Sequence, residues 1–373
     1  MSASGRVVLV AGTRPEFVKL HPLALAVHAR GADLLLITTE QHTGAAMRDA
    51  FIDKLDWPCP VERLRIDTQA PLPLLGAILA QLGAHLRPTD FVVAEGDTNS
   101  VLAASLAANK MRIRLAHVEA GLRSYDPRMP EEHNRRLCDH IADELFAPTA
   151  IDAAHLREER CPGRAHVVGN TVMDAVRLNA PRIPARAGGG TGHILLTVHR
   201  QENLDDPVFL QAIVAFLEGL RAPCLFPIHP RTRDTFRRSG VLERVTLNSH
   251  VRVVEPFDYL TFLAAMRDAR VIVTDSGGVQ EEATAPEIRR PVVVLRRSTE
   301  RTAAIEAGFS VLAPFDAKRI AELADDLSWY HPGERSPFGD GHAAERIAAV
   351  LVGEAVGTLA EHPFDSGPSD PLR

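Results

Sequence analysis

Cysteine is scarce in this 373-residue chain: Cys59, Cys138, Cys161 and Cys224 are scattered and form no CxxC pair. That spacing offers no disulfide framework and points to reduced thiols in a cytoplasmic protein. The sixteen histidines show no zinc spacing, so no metal is expected. Long apolar runs are also missing. The first, Arg6-Val7-Val8-Leu9-Val10-Ala11, has the length of one strand and lacks the apolar core and cleavage site of a signal peptide. No later run approaches the roughly 20 residues that span a bilayer, so no membrane partner is expected. There is no basic excess either. A formal net charge of -6 argues against nucleic acid as a partner. Local arginines can still hold a small anionic substrate.

What is present is enough apolar material for two cores, with 45% hydrophobic residues in a chain too long for one ordinary domain. Short β-rich runs alternate with helical patterns. Candidate strands are Val7–Ala11, Leu34–Thr38, Phe91–Ala94, Arg114–Val118 and Ala165–Val168, then Ile194–Val198, Cys224–Ile228, Val251–Val254, Val271–Thr274 and Val292–Leu295. Helix-length patterns lie between them, as at Leu72–Leu86, Val101–Asn109 and Val208–Leu220. Such alternation predicts α/β architecture with parallel sheets covered on both faces. A Pro/Gly-rich stretch at 181–192 reads as a linker. It separates a Rossmann-like domain at 1–180 from a second, nucleotide-binding one at 193–341. A helical pattern follows at 342–358, centred on Ala343–Val356, and the residues at 359–373 read as a disordered tail.

In open parallel sheets ligands bind beyond the carboxyl ends of the strands. There the chain places Gly12-Thr13-Arg14-Pro15-Glu16, Glu95-Gly96-Asp97-Thr98, Glu119-Ala120-Gly121-Leu122-Arg123, His199-Arg200, His229 and Asp275-Ser276-Gly277-Gly278. Two such edges facing each other make one interdomain cleft. Ser276, Gly277 and Gly278 join a strand to a helical pattern, where small residues let a phosphate reach backbone N–H groups. Glu281 and Glu282, one turn on, suit ribose hydroxyls. The same stretch also reads as an ordinary turn and cap. Arg14 and Lys19 flank another strand-to-helix turn and suit an anion. Asp97 reads as a reactive carboxylate or as a helix N-cap. Glu119 follows an apolar strand, where a charge is costly without purpose, or forms a rim salt bridge with Arg123. Glu131 and Glu132 open a helix, where the dipole alone favours them.

These residues fall into motifs that resemble the non-hydrolysing UDP-N-acetylglucosamine 2-epimerases. In order they are GTRPEFVKLHPL (Gly12–Leu23), QHTG (Gln41–Gly44), GDTNSVLA (Gly96–Ala103), HVEAGLRS (His117–Ser124), MPEEHNRRLCDHIAD (Met129–Asp143), GNTVMDAV (Gly169–Val176), VHRQEN (Val198–Asn203), TDSGGVQEEA (Thr274–Ala283) and STER (Ser298–Arg301). The resemblance implies two Rossmann-like doubly wound domains facing across a cleft, the GT-B-like architecture, with a C-terminal helix crossing back to the first domain. It implies a homodimer, no metal and no cofactor; the first turn, Gly12-Thr13-Arg14-Pro15, is not GxGxxG.

The implied reaction inverts C2 of a UDP-activated N-acetyl amino sugar, UDP-GlcNAc to UDP-ManNAc. No carbonyl stands beside C2, so direct proton loss there is very unfavourable. Anti-elimination of UDP gives a glycal, and re-addition with protonation of the opposite face gives the epimer. Carboxylates suit the proton transfers, and cations with N–H groups suit the departing diphosphate. By resemblance the catalytic set is Asp97, Glu119, Glu131 and His199. Substrate binding falls to Arg14, Lys19, Arg200, His229, Phe257, Ser276, Gly277, Gly278, Glu282 and Arg301, with Pro256–Phe262 beside the uracil. The chain departs from the family pattern at Thr302-Ala303 after Arg301, in the longer segment Thr284–Arg290, and at Thr43. The first two bear on the exact sugar, the third on allosteric activation. Rival readings are a hydrolysing 2-epimerase releasing UDP and ManNAc, a GT-B glycosyltransferase, and a silent nucleotide-sugar binder.

Overall fold

The computed structural model describes residues 5–39, 55–68, 70–185, 192–313 and 315–354. The QHTG segment with Thr43, half of the expected linker and the expected tail lie outside the described residues. Residues up to Ala175 and from Phe338 onward form one compact unit, and Val176–Pro337 form another. The sequence reading set the division at the 181–192 linker; by contacts it falls inside the helix Thr171–Asn179.

The first unit carries β1 (Val7–Ala11), β2 (Leu34–Thr38), β3 (Val61–Arg63), β4 (Phe91–Glu95), β5 (Arg114–Val118), β6 (Glu144–Ala147) and β7 (Arg164–Val167). Their order in the sheet is β3-β2-β1-β4-β5-β6-β7, and every pairing is parallel. β1, β2 and β4 are buried at all five positions, as expected of strands covered on both faces. Strand geometry sends alternate side chains to opposite faces. Val8, Val10, Val92 and Ala94 accordingly enter one core, and Val7, Leu9, Phe91 and Val93 the other.

The second core is closed by the helix Ala343–Val352, whose Ile347, Ala348 and Leu351 pack with Leu20, Leu23 and Val27 of the helix Arg14–His28. Asp174 caps its start, accepting from the N–H groups of Ala343 and Ala344 at 3.1 and 3.0 Å. The helix is shorter than the periodicity up to Val356 predicts. Gly353 adopts a left-handed conformation (φ 80°) and ends it.

The second unit carries β8 (Ile194–Thr197), β9 (Cys224–Pro227), β10 (Val251–Val254), β11 (Val271–Thr274), β12 (Val292–Val294) and β13 (Ser310–Leu312). Its order, β10-β9-β8-β11-β12-β13, repeats the first sheet's pattern, again all parallel. Each sheet therefore has one topological switch point, between β1 and β4 and between β8 and β11. No helix among the described residues is long and apolar enough to cross a membrane.

Candidate functional site

The first switch point is built around Gly12, where a Cβ would collide with Ser100 Oγ and Thr39 Oγ1. Only glycine lets the loop after β1 lie this close to the helix Asn99–Met111. Glu16 folds back onto that loop. Its Oε2 accepts from the N–H groups of Gly12 and Thr13 at 2.5 and 2.9 Å, and its Oε1 accepts from Thr98 Oγ at 2.6 Å. Burial pushes its pKa up to about 7, against the lowering effect of Thr98 and the two backbone donors. One carboxyl thus ties the loop after β1 to the loop after β4.

Beside it lie three more carboxylates. Glu119 directly follows β5 with a left-handed backbone (φ 68°), which costs a non-glycine residue about 1–3 kcal/mol. Its buried carboxylate is in close contact with Lys19 Nζ and accepts from Asn170 Nδ2 at 2.6 Å. Lys19 also stands 3.3 Å from Glu95 at the end of β4. Burial holds the Glu95 carboxyl well above the usual range, with Lys19 opposing and Glu119 and Glu16 reinforcing the rise. Asp97, a quarter exposed, accepts from Arg135 Nη1 at 3.1 Å, and its carbonyl accepts from Asn134 at 2.8 Å. The helix that follows is capped by Thr98, not by Asp97.

The two acidic residues that open the helix Pro130–Ile141 divide their work. Glu132 is buried and accepts from Ser124 N–H and Oγ, both at 2.9 Å, and from Tyr125 N–H at 3.1 Å, fixing the loop after β5. Glu131 is half-buried on the same turn. Arg123 reaches Asp139 at 2.8 Å and Glu159 at 2.9 Å. Glu119 is held by Lys19 and Asn170, whereas Arg123 is turned to Asp139 and Glu159.

The second switch point is organised by Asp275, fully buried after β11. It accepts from the N–H groups of His199 and Arg200 at 3.1 and 3.0 Å and from Asn203 Nδ2 at 3.2 Å. His199 Nδ1 lies 3.2 Å from it. Burial alone would raise this carboxyl; His199 and Arg200 overcome that and hold it below its ordinary range. The rings of His199 and His229 stand 5.7 Å apart. His229 Nδ1 accepts from Arg231 N–H at 3.2 Å, so its Nε2 carries the hydrogen. Partial burial of the ring, then His199 and Arg231, push its pKa down to about 4.

Next to this turn, Ser276 caps the short helix Gly277–Glu282 with no side-chain capping bond. Beneath it lies a buried ionic cluster. Arg301 donates to Glu281 at 2.8 Å and to Glu300 at 2.5 Å, Arg296 reaches Glu300 at 2.7 Å, and Arg200 comes within 3.6 Å of it. A Cβ on Gly277 would stand 3.1 Å from both Arg301 Cζ and Glu300 Oε1, whereas one on Gly278 would meet nothing within 4 Å. Glu282 is buried at the end of the same helix, and Phe257 is half-buried just after β10.

Lys19 and Glu119 are in contact at the first edge, Asp97 lies on the loop after β4, and Arg14 and Glu131 lie on the helices Arg14–His28 and Pro130–Ile141. The structure brings His199, Arg200, His229, Ser276, Gly277, Gly278, Glu282 and Arg301 together at the second. Sequence reasoning missed Glu95, Arg135, Asp139, Arg296 and Glu300. Glu95 carries the same signal as Glu119, a carboxylate directly after an apolar strand. The others are helical or loop residues, whose burial no local pattern marks. Among the described residues, His140, Glu159 and Cys161 place possible ligand atoms within 4.8 Å of one another. Glu159 already holds Arg123 at 2.9 Å and Arg136 at 3.5 Å, and those guanidiniums oppose a cation there.

Two parallel Rossmann-type sheets, each with polar loops gathered at its switch point, define a two-unit α/β enzyme built for a nucleotide-bearing substrate. The UDP-N-acetylglucosamine 2-epimerase family model matches residues 25–352. The chain is 36% identical over 363 residues to the UDP-N-acetylglucosamine 2-epimerase of Methanocaldococcus jannaschii, covering 93% of this chain and 99% of that one. The crystal structure of the M. jannaschii enzyme in complex with UDP-GlcNAc and UDP superimposes with a TM-score of 0.84 at 36% identity, over the same shares of the two chains. The UDP-2,3-diacetamido-2,3-dideoxy-D-glucuronate 2-epimerase of Pseudomonas aeruginosa is 35% identical over 359 residues, covering 93% and 99%. This chain belongs to the UDP-N-acetylglucosamine 2-epimerase family, and it is an epimerase, hence an isomerase.

Proposed function

We propose that the chain interconverts UDP-GlcNAc and UDP-ManNAc by eliminating UDP and adding it back across a glycal. One observation carries this reading: Glu95 and Glu119 lie buried against Lys19 at the switch point of the first sheet. Such a group is costly to bury unless it moves or holds a proton. Asp97 and Glu119 exchange protons at C2 and on the departing oxygen, and Glu131 assists from the adjacent helix. Lys19, in contact with Glu119, holds its carboxylate in place. At the second edge, His199, Arg200 and Arg301 offset the diphosphate charge as the C1–O bond breaks, and neutral His229 donates a hydrogen bond to it from Nε2. Ser276, Gly277 and Gly278 offer backbone N–H groups to it, Glu282 takes the ribose, and Phe257 packs by the uracil. Arg14 contributes a further cation.

Homodimeric assembly and a cytoplasmic location belong to the same proposal. They are supported by the family resemblance and by four free cysteines; light scattering of the purified protein checks the first. The function is tested by incubating the protein with UDP-GlcNAc in D2O and following the sugar by proton NMR. UDP-ManNAc carrying deuterium at C2 is the expected product. Free ManNAc with UDP would instead mean hydrolysis. An unchanged spectrum, followed by turnover of a diacetamido uronate analogue, would reassign the sugar.

A further inference from the structure

The loops after β4 and β5 carry Asp97 and Glu119, and one wholly buried side chain lies beneath both. His117, on β5, places Nδ1 2.6 Å from Asp139 Oδ1 and Nε2 2.8 Å from the carbonyl oxygen of Gly96. Both side chains of the pair have no exposed surface. A carbonyl oxygen has no proton to give. The other oxygen of Asp139 accepts from Gly121 N–H at 3.1 Å and lies 2.8 Å from Arg123 Nη1. That carboxyl is therefore ionised and also only accepts. Both nitrogens of His117 face acceptors, so both carry hydrogen, and the ring is a buried imidazolium. Burial alone would strip its proton; Asp139 overcomes burial and holds the pKa above its ordinary value, with Arg123 opposing. Asp139 and Arg123 are the charged groups set against the ring.

We propose that the His117–Asp139 pair is a positioning device for the proton-transfer carboxylates. The imidazolium holds the Gly96 carbonyl, which leads into Asp97, and through Asp139 it holds the Gly121 N–H just beyond Glu119. Both loops need such a tether, because Gly96 (φ 88°) and Glu119 (φ 68°) are left-handed turns that nothing in a strand would maintain. Neither His117 nor Asp139 reacts; they fix the separation of the groups that do. The proposal rests on the reading of Asp97 and Glu119 as the proton-transfer pair.

Protein with ring-15N-labelled histidine tests it first without activity. One histidine, identified by its loss in His117→Gln, keeps both ring nitrogens protonated at a pH where exposed histidines have become neutral. A His117 ring with one unprotonated nitrogen under those conditions overturns the proposal. Kinetics then separate the two bonds. Asparagine at 117 keeps a donor near Asp139 and loses the Gly96 bond, while the longer glutamine reaches Gly96. We expect His117→Asn to lower kcat about 100-fold with KM little changed, as for a small misplacement of reacting groups, and His117→Gln to recover about tenfold of that loss. Equal falls in both variants, with KM and Tm moving alongside, mean a purely structural pair and refute the proposal. Asp97→Asn and Glu119→Gln are assayed in parallel. If they keep normal rates, the acid–base reading fails and takes the positioning role with it. If they are inactive while His117→Asn is normal, the positioning role alone fails.

Discussion

The two sheets share one strand order and place their polar loops at the same switch point, yet they arm it with opposite electrostatics. The first edge sets Glu95 and Glu119 against Lys19 and Asp97 against Arg135, with Glu16 binding the loop after β1. The second gathers His199, Arg200, Arg296 and Arg301 around Asp275, Glu281 and Glu300. Burial raises the pKa of Glu16 and Glu95 there, and a cluster of carboxylates with few cations suits proton transfer. Guanidiniums and N–H groups held in place by buried carboxylates suit an anion whose charge grows during reaction. The duplicated fold supplies the same scaffold twice, and the loops decide which half of the chemistry each copy serves.

The sharpest way to break this division is at the proposed reacting groups. Asp97→Asn and Glu119→Gln are expected to lower kcat by about 10²- to 10⁴-fold each, with KM for the nucleotide sugar little changed. Steady-state kinetics with UDP-GlcNAc checks this. A rise in KM at constant kcat would place these carboxylates in binding and erase the contrast with the second edge.

Next in size come the cations. Lys19→Met removes the ammonium that Glu95 and Glu119 share, and Arg301→Met removes a guanidinium from Glu281 and Glu300. Each leaves buried charge poorly compensated and costs about 3–5 kcal/mol by urea unfolding. The comparison separates the two in binding: UDP affinity by calorimetry falls for Arg301→Met and stays near wild type for Lys19→Met. Equal loss of affinity would show that Lys19 serves the phosphate.

The division also shows what a sequence can disclose. The apolar runs at Val7–Ala11, Leu34–Thr38, Arg114–Val118, Val251–Val254 and Val271–Thr274 are strands at those boundaries, because buried parallel strands are continuous apolar segments. Among the described residues three strands escaped: Val61–Arg63 and Ser310–Leu312, three-residue edge strands, and Glu144–Ala147, which opens on a glutamate. That glutamate is buried because Arg164 and His166 on the next strand pair with it at 2.7 Å, a contact no local pattern reveals. At the site, residues directly after strands were legible from topology alone. Asp139, Arg135 and Glu300 were not, since their importance lies in partners distant in sequence. Lys19 was read as a ligand contact, and the structure sets it against two carboxylates.

A smaller effect separates the edges by pH. Glu16, with its pKa at about 7, binds its proton more tightly folded than unfolded. Its contribution is therefore complete at and below about pH 4.5 and declines as pH rises to about 7, by roughly 3 kcal/mol in all. Asp275 is held low, so its contribution has the opposite sign: it is present above the unfolded carboxylate pKa and is lost as pH falls through the folded one. Glu16→Gln should flatten the decline between about pH 5 and 7 in urea unfolding followed across that range. An unaltered slope would mean that Glu16 is ionised throughout.

The smallest expected effects concern the glycines of the second edge, and they discriminate most finely. Gly277→Ala sets a methyl 3.1 Å from Arg301 Cζ and Glu300 Oε1, heads too firmly paired to retreat freely. A loss of up to about 1 kcal/mol in stability is expected, at the low end for overpacking. Gly278→Ala meets nothing within 4 Å and replaces a poor helix former with the best one, so stability holds or rises by up to about 1 kcal/mol. If the diphosphate descends onto these backbone N–H groups, the same methyl blocks it, and UDP affinity falls while stability does not. Affinity unchanged in Gly278→Ala would move the phosphate off this turn and toward the His199–Arg200 side of the switch point.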